Sequence, residues 1–230
     1  MSRICIITSF TDNIRWNNYG KCDYGDFASI NHHEYANLHG YSYIKEIVKN
    51  EDYLDWHPTW IKIDVLRKHI NNYDYVVWID ADAVFVNKEI SIESFIKDDV
   101  DLILPKLEVD QQSGNMWTHT TTGFMILKNS VWTKNLLDEL WEKPNSYRFQ
   151  FFHEQSRLDE LLHENYSLIG GENILHKLIP DLEEPLQLGN ILVLPYSYHR
   201  CWEDGDIKYI YHAGGDTPSK LRRIQNVINQ

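Results

Sequence analysis

Apolar and polar positions along the chain follow two periods in turn. Residues 4–8 form a continuous apolar run ending in Thr8, as expected of a strand buried on both faces. Over residues 26–39, Phe27, Ile30, Tyr35 and Leu38 recur near helical spacing, and Gly40 stands where that helix should stop. Residues 41–47 return to a strand pattern. Pro58 then opens a second helix over 59–70 carrying Trp60, Ile61, Val65, Leu66 and Ile70, and residues 75–79 form a short run apolar on both faces. Beyond it, 100–104 and 123–127 read as strands separated by a polar stretch, 110–122. Asn129 is placed to cap a helix bearing Val131, Leu136, Leu137, Leu140 and Trp141. A helix over 154–163, strands over 191–195 and 208–211 and a polar helix over 217–228 complete the pattern. Strands alternating with helices predict an α/β fold whose central, mostly parallel sheet is flanked by helices.

With 230 residues, the chain has room for one domain. Its first part, 1–105, carries the regular βα alternation, and 106–230 is mixed. The formal charge of −12, with no basic run longer than Arg222-Arg223, argues against a nucleic-acid partner. A phosphate on a small molecule stays admissible if a cation bridges it. Cys5, Cys22 and Cys201 are too few and too widely spaced for a disulfide framework or zinc knuckle. No apolar run reaches a membrane-spanning length, so the expectation is a cytoplasmic protein, or a lumenal one if the chain is an excised domain. No G-x-G-x-x-G or P-loop signature occurs. Aromatic residues make up 13% of the chain, enough to serve both a core and a sugar- or base-stacking surface. Nothing in the sequence bears on oligomeric state.

The chemistry concentrates where the 75–79 run ends, in Trp78-Ile79-Asp80-Ala81-Asp82-Ala83-Val84-Phe85. Ligands of open α/β sheets bind at the carboxyl ends of strands. Two carboxylates one residue apart there repel each other unless a hard divalent cation joins them, so Mg²⁺ or Mn²⁺ is expected. A later strand-to-turn segment, Tyr209-Ile210-Tyr211-His212-Ala213-Gly214-Gly215, offers an imidazole, which tilts the choice toward Mn²⁺. Taken singly, Asp80 and Asp82 could equally solvate a turn, and His212 could bond backbone at a strand end.

Taken in order, this segment, Trp60-Ile61-Lys62, Gly123 to Ser130, Glu154-Gln155-Ser156 and His212-Ala213-Gly214-Gly215 resemble GT-A glycosyltransferases. The nearest likeness is to the galactosyl-, xylosyl- and mannosyltransferase family typified by plant xyloglucan xylosyltransferases and yeast Golgi mannosyltransferases. The resemblance implies a nucleotide-sugar donor, a UDP-sugar by preference, and a glycan or other hydroxyl acceptor. It implies a metal bound by Asp82, Asp80 and His212. Lys62 and Lys220 would assist at the phosphates, although an exposed helical lysine is the plainer reading of each. Thr8, Ser9, Phe10 and Arg15 would meet the base and ribose, and Ala81 would lie against the donor. Gln155 would sit near the reacting carbon with Glu154 beside it, and retention of configuration is expected. Glu154 also reads as a first-turn carboxylate suited to the helix dipole; inversion would need it, or Asp110, as general base. Acceptor contacts fall to Trp117, His119, Thr122 and Gly123, with His153 and Gly214, while Tyr198 and Trp202 are further aromatic candidates. Two other readings are a non-catalytic carbohydrate-binding protein and a sugar-phosphate nucleotidyltransferase.

Overall fold

The first strand, β1 (Ile4–Thr11), is buried along its whole length, because it lies inside a sheet covered on both faces. The computed structural model describes residues 2–11, 23–49, 57–106, 120–142, 153–166, 182–201, 207–214 and 217–229. On one side β1 pairs in parallel with β2 (Ser42–Val48), and on the other with β3 (Tyr75–Ile79). The sheet continues through β6 (Phe124–Lys128), β5 (Leu102–Pro105), β8 (Ile191–Leu194) and β7 (Leu186–Leu188). A separate three-stranded sheet has the order β4 (Ala83–Phe85), β10 (Ile210–His212), β9 (His199–Cys201).

The α/β architecture is as expected, but the sheet is mixed. β1–β2, β1–β3 and β5–β8 are parallel, whereas β6 runs antiparallel to both β3 and β5, and β7 antiparallel to β8. An apolar run such as 123–127 shows that a strand is buried, not which way it points. Strands from both sides of residue 105 thus interleave in one sheet.

Strand alternation sorts the apolar residues into two cores. Cys5, Ile7, Val76, Trp78, Met125 and Leu127 face a cluster with Trp60, Leu66, Leu137 and Leu158. Their neighbours Ile4, Ile6, Val77, Ile79, Phe124 and Ile126 face a second cluster with Tyr35, Phe85 and Tyr209. This period of two with both phases apolar is why the strands read as unbroken apolar runs.

Helix α1 (Asp23–His39) ends at Gly40, whose φ of +73° suits a left-handed cap, with Tyr41 N–H donating back to Ala36 C=O at 2.8 Å. The expected 59–70 helix is α2 (Ile61–His69), entered and left by 3-10 turns. Helix α3 (Val131–Glu142) is capped by Ser130, whose Oγ accepts from Thr133 N at 3.1 Å. Asn129, expected as the cap, instead donates through Nδ2 to Tyr73 C=O. One position decides this, since the cap must precede the first helical residue. Helices α4 (His153–Tyr166) and α5 (Thr217–Ile228) lie close to where 154–163 and 217–228 were expected. Among the described residues no helix is long and apolar enough to cross a membrane.

Candidate active site

The chain leaves β3 at Ile79 and turns through Asp80, Ala81 and Asp82 into β4. Backbone bonds fix the turn: Asp80 N–H donates to Gly123 C=O at 2.9 Å, Ala83 N–H to Asp80 C=O at 3.0 Å, and Ala213 N–H to Asp82 C=O at 2.8 Å. Antiparallel pairing of β4 with β10 sets His212 opposite Ala83. His212 Nε2 therefore lies 2.9 Å from Asp82 Oδ1 and 3.9 Å from Asp80 Oδ2. One ligand atom from each of Asp80, Asp82 and His212 lies within 4.8 Å of the others. Gly123 makes room for this arrangement, since a Cβ there would stand 2.7 Å from the His212 ring and 3.1 Å from His199 Nε2.

Behind the turn lies a buried ionic cluster. Asp80 Oδ1 accepts from Trp78 Nε1 at 2.6 Å and faces Lys62 Nζ at 3.0 Å. Lys62 is 4% exposed, so the reading of an exposed helical lysine fails. Its ammonium meets Glu154 Oε1 at 2.9 Å and donates to Thr122 C=O and Oγ1 at 3.2 and 3.1 Å. Burial alone would lower the lysine pKa, but the carboxylates of Asp80 and Glu154 outweigh it and hold the pKa above the ordinary value. Thr122 Oγ1 donates to Glu154 Oε1 at 3.0 Å, and Thr122 N–H to Gln155 Oε1 at 3.0 Å. Glu154 does occupy the first turn of α4, and its main partner is Lys62. Lys220, from α5, bonds Asp82 Oδ2 and lies 5.4 Å from the centre of the Tyr24 ring. Burial opposes the charge on Asp82, but Lys220 and His212 prevail and hold its carboxyl well below the usual range.

A cleft of about 260 Å³ opens in front, lined by Ser9, Phe10, Tyr24, His57, Trp78, Ala81 and Lys220 among others, with Lys62, Asp80 and Asp82 in its wall. Phe10 lies flat against Gly25, where a Cβ would come within 2.9 Å of the ring. Thr8 Oγ1 and Ser9 Oγ are buried without a hydrogen-bond partner among the described residues; Ser9 lines the cleft and Thr8 does not. His153, at the start of α4 with φ +46°, stacks on His57 with ring centroids 3.5 Å apart. Burial, followed by the charge of His153, pushes the pKa of His57 down to about 4. Gly214 C=O accepts from Arg223 Nη1 at 2.8 Å. Tyr198 packs edge-on against Phe95 in the core.

The fold thus brings together Asp80, Asp82, His212, Lys62, Lys220, Thr122, Gly123, Glu154 and Gln155. Arg15, Asp110, Trp117, His119 and Trp202 lie outside the described residues. Sequence reasoning missed the Trp78 bond to Asp80, although residues two apart on a strand share a face. It also missed His57, Tyr24 and His199, for which no local signal exists. The donor set of two carboxylates and an imidazole suits a divalent cation. Asp80 fits this use, since Trp78 and Lys62 occupy Oδ1 and leave Oδ2 on the side of His212.

Comparison with known proteins gives a consistent picture. Residues 2–120 match the galactosyl transferase GMA12/MNN10 family. A probable alpha-1,6-mannosyltransferase, MNN10 of Saccharomyces cerevisiae, is 25% identical over 71% of this chain and 49% of its own length. A probable xyloglucan 6-xylosyltransferase 5 of Arabidopsis thaliana is 30% identical over 46% of this chain and 23% of its own. The chain therefore spans about half the length of the yeast relative and about a quarter of the plant one. Among solved structures, a glycosyltransferase involved in glycosylation of the major capsid of PBCV-1 superposes with a TM-score of 0.65 at 16% identity, over 97% of this chain and 99% of that one. The galactosyltransferase LgtC, in complex with donor and acceptor sugar analogs, gives 0.56 at 10% identity over 98% and 95%. The fold is that of GT-A glycosyltransferases.

Proposed function

Since the chain belongs to the galactosyl transferase GMA12/MNN10 family, we propose that it is a glycosyltransferase that moves a sugar from a UDP-sugar to a hydroxyl of a glycan acceptor, with retention of configuration and with Mn²⁺ or, less well suited, Mg²⁺ as cofactor. The observation that carries this reading is the convergence of Asp80, Asp82 and His212 beside a cleft at the carboxyl ends of β1 and β3, with both carboxylates in its wall. These three side chains would hold the cation, and the imidazole favours Mn²⁺. When bound, the cation supplies charge neutralisation for the diphosphate that departs as the sugar–phosphate bond breaks.

The protein's own groups divide the remaining work. Lys220, on the cleft side of Asp82, places a positive charge where the diphosphate would lie. Ser9, Phe10 and Ala81, with Arg15 nearby in sequence, would receive the base and ribose, whereas Thr8, expected with them, is fully buried off the cleft. Lys62 acts from behind the site, holding Asp80 in place rather than reaching the phosphates directly. Gln155, its Oε1 fixed by Thr122 N–H, would steady the oxocarbenium-like carbon. His153 and Gly214, with Trp117 and His119, would face the acceptor, whereas Thr122 and Gly123, expected there, are buried and would act through Gln155 and His212. Retention is favoured by the setting of Glu154, which is buried with Oε1 taken by Lys62 and Thr122 and so is not presented to an acceptor hydroxyl as a general base would be. In the retaining route the acceptor hydroxyl passes its proton to the departing diphosphate.

The test is calorimetry of UDP, GDP, CMP and TDP with and without Mn²⁺. Binding of UDP that requires Mn²⁺ is expected, as is its loss in Asp82→Ala with the circular dichroism spectrum retained. Metal-dependent affinity unchanged by Asp82→Ala would refute the assignment.

A further inference from the structure

Strand β4 follows Asp82 directly and, among the described residues, has a neighbouring strand on only one side, where β10 pairs with it. Backbone groups along a strand point alternately to its two edges. On the β10 edge Ala213 N–H donates to Asp82 C=O and Val86 N–H to Tyr209 C=O, with Val84 opposite Tyr211 between them. The groups of Ala83 and Phe85 therefore point to the other edge, where no strand lies among the described residues. Ala83 N–H is taken by Asp80 C=O in the turn. The other three are met by two adjacent side chains of α1. Asn31 Oδ1 accepts from Phe85 N–H at 2.8 Å while its Nδ2 donates to Phe85 C=O at 2.9 Å, and His32 Nε2 donates to Ala83 C=O at 2.7 Å.

We propose that Asn31 and His32 are positioning residues of the Asp80–Asp82–His212 site: together they replace a missing neighbouring strand on β4 and thereby fix where Asp82 presents its carboxylate. The inference rests on the metal-binding reading above and extends it to residues that touch neither metal nor donor.

Three features separate this role from ordinary packing. Both side chains are buried, and Asn31 spends its whole amide on one residue of β4, as a strand neighbour would. His32 is fully buried with Nδ1 unpartnered among the described residues. An apolar ring would avoid the orphaned Nδ1 but would strand Ala83 C=O, so what the imidazole contributes is its bond to the strand that follows Asp82. Finally, β4 is only three residues long, with Asp82 immediately before it and the partner of His212 as its first residue. A shift of its outer edge therefore reaches both ligands.

The experiment titrates Mn²⁺ alone, read by the electron paramagnetic resonance of the free ion, into wild type, Asp82→Ala, Asn31→Ala, His32→Leu and His32→Gln, with melting temperatures measured in parallel. Glutamine offers an N–H donor that can reach Ala83 C=O, and leucine offers only bulk. Asn31→Ala and His32→Leu are expected to weaken Mn²⁺ binding roughly 10–100-fold, the range typical of groups that orient metal ligands. His32→Gln should stay close to wild type. Equal losses in His32→Leu and His32→Gln, or wild-type affinity in a folded Asn31→Ala, overturn the inference while the metal site stands. Failure of both Asn31→Ala and His32→Leu to fold also overturns it, because the pair would then serve the fold rather than the site. A wild type that takes up no Mn²⁺, or binds it no better than Asp82→Ala, overturns the proposed function and this inference with it.

Discussion

Replacing Lys62 with methionine removes the positive charge from the cluster behind the site and keeps most of the aliphatic stem. In the native protein the ammonium lies 2.9 Å from Glu154 and 3.0 Å from Asp80, with Lys62 4% and Glu154 3% exposed. At an effective dielectric of about 20, each contact corresponds to roughly 5–6 kcal/mol of Coulomb attraction, against which desolvation of the partners must be set. Removing one partner forfeits the attraction and leaves the desolvation cost, so Lys62→Met should lose about 3–5 kcal/mol. Asp80 is better protected than Glu154: it is 22% exposed and keeps its bond from Trp78. The loss should therefore fall mainly on Glu154, whose Oε2 already lacks a partner among the described residues. Adding Glu154→Gln to Lys62→Met removes the stranded charge while leaving an oxygen to accept from Thr122 Oγ1, and should restore about 2 kcal/mol. Urea unfolding at pH 7 compares wild type with both variants, with an unchanged m value confirming that the same transition is compared. The reasoning fails if Lys62→Met lies within about 1 kcal/mol of wild type, or if the double variant is no more stable than the single one.

Gly123→Ala places a methyl 2.7 Å from the His212 ring; a stability loss of about 1–3 kcal/mol and Mn²⁺-dependent UDP binding weakened by more than about tenfold are expected, and calorimetry showing wild-type affinity would contradict the close-approach argument. Gln155→Ala should lower turnover far more than donor affinity, and steady-state kinetics with a matching loss in both would show a plain binding role. His32 and His199 are fully buried, and burial pushes their pKa values down to about 4 and about 3, offset in part for His32 by its bond to Ala83 and deepened for His199 by His212. Their unfolded forms take up protons below about pH 6.5, where the folded forms do not. The stability they contribute is thus complete above that value and is lost as pH falls toward 4, by up to about 1.4 kcal/mol per pH unit for each. Urea midpoints that stay flat between pH 7 and 5 would count against both buried neutral histidines.

What the sequence reveals follows the range of the interaction involved. The turn carrying Asp80 and Asp82 is legible because an apolar run ends in charge, a signal contained within eight residues. Strands β4, β7 and β9 are three residues each, too short for a period to register. Lys62 misleads for a different reason. Helical amphipathicity assumes one dry face, whereas Ile61, Lys62 and Ile63 are all buried where α2 begins, so the lysine enters the interior beside its apolar neighbours.

His212 is readable in the sequence as an imidazole at a strand end, and the family resemblance implies its use, but its approach to Asp82 is not readable. That depends on β10 pairing antiparallel with β4, which a strand of three residues cannot announce, and on Gly123 leaving space for the ring. The same logic explains why Asn31 and His32 stand outside every motif. On α1 they look like polar residues on a helix face, and their meaning appears only once β4 is found to lack a second neighbour. The candidate ligands are local to strand ends and can be seen in the chain, while the groups packed behind them come from α1, α2 and α4 and become visible only after the sheet has formed. Asp82 owes its setting to this arrangement: its backbone is held by β10 and the turn, its carboxylate by Lys220 and His212, and the strand after it by α1. On the proposed reading, a cation held there would replace interactions the protein already makes, and its affinity would depend on how firmly β4 is held as well as on Asp80, Asp82 and His212.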